Sequence, residues 1–109
     1  MVELAQSFGR PIAVVAAGER WLDGSLRPSL EDFLGAGAII SALSGERSPE
    51  AHAAAVTFEA NRDLAGTLQK CASGVELHER GFSDDVVMAA QLDVDGRASQ
   101  LQGGVFSGK

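Results

Sequence analysis

The sequence predicts an α/β chain that is mostly helical, with one or two buried strands. Three observations carry this. Ile12–Ala17 is an unbroken apolar run rich in β-branched residues. Four or five segments after it carry helix caps and apolar residues at helical spacing. The 109 residues are 45% apolar and 22% charged, ordinary chemistry for one small globular domain.

The elements follow in order. Val2–Phe8 is short and amphipathic and reads as the tail of a helix, with Gly9 as its C′ residue and Pro11 just beyond. Ile12–Ala17 lacks alternation, so it is expected to be a strand buried on both faces, ended by Gly18. A polar loop, Gly18–Ser25, follows. Arg27-Pro28 is expected to open a helix, because proline suits a first helical turn. Leu30, Phe33, Leu34, Gly37 and Ile40 then fall on one face. Gly35-Ala36-Gly37-Ala38 costs helix propensity but lets another backbone approach closely. Gly45 stops this helix.

Ser48-Pro49-Glu50 combines an N-cap, a proline at the first helical position and an acid in the first turn. The helix it starts passes Ala53–Ala55 and Phe58, bends near Asn61 and continues to Cys71. Ser73-Gly74-Val75-Glu76 reads as a capping box. Gly81 closes that helix. Phe82-Ser83-Asp84-Asp85 starts another, with Ser83 as its cap and Phe82 and Val87 as a hydrophobic staple. Ala98–Leu101 and Gly104–Phe106 read as short strands or a tail. A lone buried strand needs partners on both edges, and only Ala98–Leu101 offers one within the chain.

Nine basic residues against fifteen acidic ones leave a net charge of −6. Such a chain is poorly suited to nucleic acid or to an anionic membrane surface. The longest apolar run is too short to span a bilayer. Cys71 is the single cysteine and cannot form an intramolecular disulfide, and no signal-type segment opens the sequence. These features together predict a cytoplasmic setting.

The densest polar constellation follows the apolar run: Glu19, Arg20, Asp23, Ser25, Arg27, Glu31 and Asp32. In open α/β sheets the ligand crevice lies beyond the carboxyl ends of the strands, and a loop feeding a helix N-terminus suits an anion. Arginine forks match phosphate or sulfonate oxygens, and carboxylates beside them suit Mg²⁺. The same residues also read as a solvated loop with acids complementing the helix dipole. On the helical wheel Glu31 flanks the apolar face, whereas Asp32 lies nearly opposite and is expected to be solvated. Trp21 is expected to anchor the loop.

Other motifs carry less. A cysteine-dependent phosphatase loop would need an arginine six residues after Cys71, where Leu77 stands, so Cys71 reads as a buried small hydrophobe. Ser73 is first a helix cap, although the N–H groups of Ser73 and Gly74 suit an anion. Asp93-Val94-Asp95-Gly96-Arg97 lacks a preceding apolar strand and reads as a polar turn. His52 and His78 lack companion ligands and read as surface residues.

The motifs Ile12–Trp21, Asp23–Pro28, Leu30–Asp32, Gly35–Ile39, Ser48–Glu50, Cys71–Gly74 and Asp84–Val86 occur in an order that resembles the 2-phosphosulfolactate phosphatase family, in its C-terminal half. The resemblance covers nearly the whole chain. It implies a three-layer α/β/α domain about twice this length. It also implies Mg²⁺-dependent hydrolysis of a small anionic phosphomonoester, releasing 3-sulfolactate on the way to coenzyme M. An N-terminal half would then supply strands beside Ile12–Ala17 and part of the site, or the chain would self-associate through the uncovered surface. Carried onto this sequence, Glu19, Asp23 and Glu31 become candidate catalytic carboxylates, with Glu19 and Asp23 as Mg²⁺ ligands. Arg20, Ser25, Arg27, Ser73 and Gly74 become candidate substrate-binding residues. The alternative is an inactive half-length remnant that serves as an anion-binding or assembly module.

Overall fold

Gly37 is where the two longest helices meet, and the fold is built around that contact. In the computed structural model, which describes residues 1–108, the elements run α1 (Val2–Ser7), β1 (Glu19–Arg20), β2 (Leu26–Arg27), α2 (Leu30–Ala42), α3 (Pro49–Ala60), α4 (Leu64–Lys70), α5 (Ala72–Glu79), α6 (Ser83–Ala89), β3 (Ser99–Gln102) and β4 (Val105–Gly108). A Cβ on Gly37 would collide with the Ala54 carbonyl oxygen and lie 2.8 Å from Phe58 Cβ. The absence of a side chain at Gly37 is what allows α3 to lie directly on α2, as the small-residue run predicts.

Two apolar clusters form the core. Ile40, Ala54 and Ala55 make one, with Val14 and Ala51 packed against it. Leu34, Leu68 and Val86 make the other, joined by Phe58, Leu64, Leu77 and Ala90. The second cluster ties α2 to α4 and α6. It thereby places α5, which lies between those two in sequence, beside the start of α2.

Caps explain most of the boundaries. Ser48 Oγ accepts from Ala51 N at 3.2 Å, with Pro49 at the first helical position. Asp63 Oδ1 accepts from Gly66 N at 3.0 Å, which starts a new helix. The expected bend near Asn61 is therefore a break between α3 and α4. Helix α5 ends in a Schellman motif, with Phe82 N donating to Leu77 O and Gly81 N to His78 O around Gly81 at φ 84°. Gly9, at φ 61°, follows α1 as expected.

Several expectations are corrected. Pro28 precedes the N-cap of α2, which is Ser29, so that helix starts two residues later than proline placement predicted. The cap of α5 is Cys71, and Ser73 lies inside the helix with no capping bond. Ser83 is the first residue of α6 rather than its cap, and its hydroxyl pairs with His78 Nδ1 at 2.7 Å. The largest departure is Ile12–Ala17, which forms no strand. Only Val14 packs on the core, while Ile12 is 41% and Val15 86% exposed. The reason is that no described strand lies beside the run to accept its ladder bonds.

The strands found are instead two antiparallel hairpins. β3 and β4 pair Ser99 with Gly108 through Gln102 with Val105 across Gly103-Gly104. Both glycines have positive φ, 57° and 80°, the two-residue turn that matches strand twist. β1 and β2 pair Glu19 with Arg27 and Arg20 with Leu26. Both hairpins are largely exposed, so the expected buried strands are absent among the described residues. No described helix is long and apolar enough to cross a membrane.

The surface is large for the mass. The accessible area is 8278 Å², whereas a folded monomer of 11.3 kDa is expected to expose about 5,700 Å². The radius of gyration is 15.2 Å, against about 13 Å for a compact domain of this length. The excess carries apolar side chains: Val15, Leu22, Leu26 and Phe106 are each more than 70% exposed.

Candidate active site

The short β1–β2 hairpin and helix α5 bring residues about fifty positions apart into one cluster. On α5, Ser73 and Glu76 stand three residues apart and share a face. Ser73 Oγ donates to Glu19 Oε1 at 3.4 Å. Glu76 forks onto Arg27, with Nη2 3.0 Å from Oε1 and Nη1 3.1 Å from Oε2. Arg27 Nη1 also lies 3.3 Å from Glu19 Oε2. The Arg27 guanidinium stands 4.8 Å from the centre of the Trp21 ring. The Glu76 hydrogen bond is the main reason the Arg27 pKa is raised, with burial opposing it.

Glu31, in the first turn of α2, closes the other side. Burial pushes its carboxyl up, but hydrogen bonds from Ser73, from its own backbone N–H, from Ser29 and from Cys71 outweigh that and hold it below the ordinary value. Cys71 Sγ donates to Leu68 O at 3.1 Å and lies 3.8 Å from Glu31 Oε2. The cysteine is half-buried at the cleft wall rather than a core hydrophobe. Glu19, Glu31, Cys71, Ser73, Gly74 and Glu76 line a cleft of about 210 Å³, completed by Arg80, Asp85 and apolar residues of α4–α6.

The structure divides the predicted site residues into two groups. Glu19, Arg27, Glu31, Ser73 and Gly74 converge. Arg20, Asp23 and Ser25 lie in the exposed turn of the hairpin. There Asp23 Oδ1 accepts from Ser25 N at 2.9 Å and from Ser25 Oγ at 2.6 Å, and these bonds, the hydroxyl's first, lower its pKa. Arg20 Nη1 donates to Gly24 O at 2.7 Å. Asp23 is not among the residues lining the cleft with Glu19. Gly74 is buried with its α-carbon against α4, where a Cβ would collide with the Leu68 carbonyl oxygen, so close packing accounts for the glycine.

Trp21 is half-exposed and stacks on Arg27 instead of anchoring the loop in a core. Asp32 is not solvated. It is partly buried, and its Oδ2 accepts from Gly18 N at 2.8 Å and from Ser29 Oγ at 2.9 Å. Asp95 Oδ1 accepts from Arg97 N at 3.0 Å, the polar turn expected there, and both histidines are exposed. Sequence reasoning missed Glu76 as a site residue because it assigned Glu76 to a capping box. The i, i+3 spacing from Ser73 was the available signal.

Carboxylates, a hydroxyl and a thiol line one cleft, with the held Arg27 guanidinium beside it, on a mixed α/β chain. Comparison with known proteins gives that site its relatives. The family model described as 2-phosphosulpholactate phosphatase matches residues 1–102, and the chain belongs to this family. A probable 2-phosphosulfolactate phosphatase of Gloeobacter violaceus is 41% identical over 66 residues, 60% of this chain and 28% of that protein. The 2-phosphosulfolactate phosphatase of Methanothermobacter thermautotrophicus is 29% identical over 104 residues, 95% of this chain and 44% of that protein. The chain thus spans less than half the length of either relative. No solved structure matches it significantly.

Proposed function

We propose that the chain forms part of a Mg²⁺-dependent phosphatase acting on 2-phosphosulfolactate or a similar small phosphorylated acid, as in coenzyme M biosynthesis. The family match over residues 1–102 carries this reading. Mg²⁺ typically takes one or two carboxylates, with water and substrate phosphate completing its shell. Glu19 fits that pattern, with Glu31 beside it as the catalytic carboxylate. Glu19 and Glu31 both line the cleft, and Ser73 Oγ donates to Glu19 at 3.4 Å. Asp23 fits it less well, being engaged by Ser25 in the turn. No group of three or more His, Cys, Asp or Glu among the described residues could by itself hold a metal ion, so substrate oxygens and water would complete the shell.

Bound there, Mg²⁺ would polarise a phosphoryl oxygen and orient the ester. The protein's own groups do the rest. Arg27 presents a fixed cation to the substrate anion. Glu31, held ionised by its hydrogen bonds, accepts a proton from the attacking water. Ser73 keeps the two carboxylates in place. The relatives' greater length and the uncovered apolar surface support a second portion of the domain that covers Ile12–Ala17 and completes the α/β/α layers, in a reducing cytoplasm.

The test is phosphate release from 2-phosphosulfolactate and from phospholactate at saturating Mg²⁺. The chain combined with the complementary portion of a full-length relative is expected to release phosphate, and the chain alone is not. No release from any such ester in the combined protein refutes the reading and favours a non-catalytic anion-binding or assembly module.

A further inference from the structure

Arg27 stands beside the cleft, in a neighbouring pocket that it lines with Glu31 and Ser73. Its side chain is only 11% exposed, two carboxylates hold it, and Trp21 stacks against it. A guanidinium has five N–H donors in a rigid plane. Glu76 accepts a hydrogen bond from Nη1 at 3.1 Å and lies 3.0 Å from Nη2, and Glu19 is an ion-pair partner 3.3 Å from Nη1. Nε–H and the remaining Nη2 hydrogen have no partner among the described residues. Those two point along one edge of the guanidinium, the geometry that accepts two oxygens of a phosphate or sulfonate.

We infer that Glu76 is a positioning residue: by holding both terminal nitrogens of Arg27 from α5, it fixes the guanidinium so that its Nε–Nη2 edge is the one offered to an oxyanion. The inference rests on the reading that this cleft takes a phosphorylated acid. Glu76 itself touches no substrate. It lowers the cost of binding, because a long side chain already ordered does not have to be ordered by the ligand. The opposite role, a carboxylate that merely competes with the anion for Arg27, predicts effects of the opposite sign.

The experiment is a titration of the ¹⁵N-labelled chain with inorganic phosphate, reading the Arg27 Nε–Hε signal and the apparent Kd. In the unaltered chain that signal is expected to be resolved and to shift on titration. In Glu76→Gln it should broaden by exchange with water, and phosphate should bind about five- to tenfold more weakly. Glu79→Gln removes an equal charge from the same helix outside the cluster and should leave the Arg27 signal intact, with binding unchanged or slightly tighter. Arg27→Lys combined with Glu76→Gln should be no weaker than Arg27→Lys alone. Backbone amide spectra establish that each variant is folded.

Tighter phosphate binding in Glu76→Gln, an unchanged Arg27 signal in that variant, or no phosphate-induced shift in the unaltered chain each overturns the inference. Its failure is separable from that of the proposed function. A combined protein that hydrolyses none of the esters while Arg27 still responds to phosphate refutes the activity alone.

Discussion

The backbone N–H of Gly18 donates to Asp32 Oδ2 across 2.8 Å, and the same oxygen accepts from Ser29 Oγ at 2.9 Å. One carboxylate thus ties the end of the apolar run to the first turn of α2. Glu19, the next residue, enters the cleft from that anchored point. Replacing Asp32 by Ala leaves the partly buried Gly18 N–H without its acceptor. The variant should lose about 1–3 kcal/mol of stability in urea unfolding. A loss below about 0.5 kcal/mol, the range of ordinary surface substitutions, would show that the tie does not hold the segment.

The two glycines of the small-residue run should respond in opposite directions. Gly37→Ala inserts a methyl group against the Ala54 carbonyl and should destabilise by about 1–3 kcal/mol. At Gly35 a methyl group would meet only open space, on ordinary helical backbone. There alanine should stabilise by roughly 0.5–1 kcal/mol through helix propensity. Paired denaturant curves check both signs at once.

Glu31 should titrate below an ordinary glutamate in a ¹³C-detected pH series. Burial raises its pKa, but Ser73 and the other donors more than offset that. Because the folded value is depressed, the associated stability is fully present above the unfolded pKa and is lost as pH falls through the folded one. Ser73→Ala should raise the Glu31 pKa, so the acid loss of stability begins at higher pH. An unchanged Glu31 titration in that variant would mean the hydroxyl does not support the carboxylate.

Apolar surface in excess of a folded monomer's allotment should bind a hydrophobic dye and make elution in size-exclusion chromatography depend on concentration. Val15→Asp, at an 86% exposed position, should reduce dye binding. It should change stability by less than about 0.5 kcal/mol. Concentration-independent elution as a monomer without dye binding would instead fit a self-sufficient helical module.

Local chemistry was legible in the sequence. Ser48-Pro49-Glu50 states a helix start, because a capping hydroxyl and a proline act on their own neighbours. Gly9 and Gly81 state helix ends, because positive φ is a property of one residue. The small-residue run Gly35–Ala38 told of a close helix crossing. The ordered motifs from Ile12 to Val86 indicated the family, although the spacing alone did not say which of those residues meet.

Only the tertiary structure decided that. Ile12–Ala17 has the composition of a buried strand, but a strand is a relation between two segments, and no described strand pairs with it. Asp32 looked solvated on a helical wheel, and only the returning Gly18 backbone gives its carboxylate a partner. Glu76 looked like a capping partner until α5 was placed against the hairpin, forty-nine residues from Arg27. A sequence determines the forces that act within a few residues. Partners brought together by packing exist only once the core of Leu34, Leu68 and Val86 has set α5 beside α2.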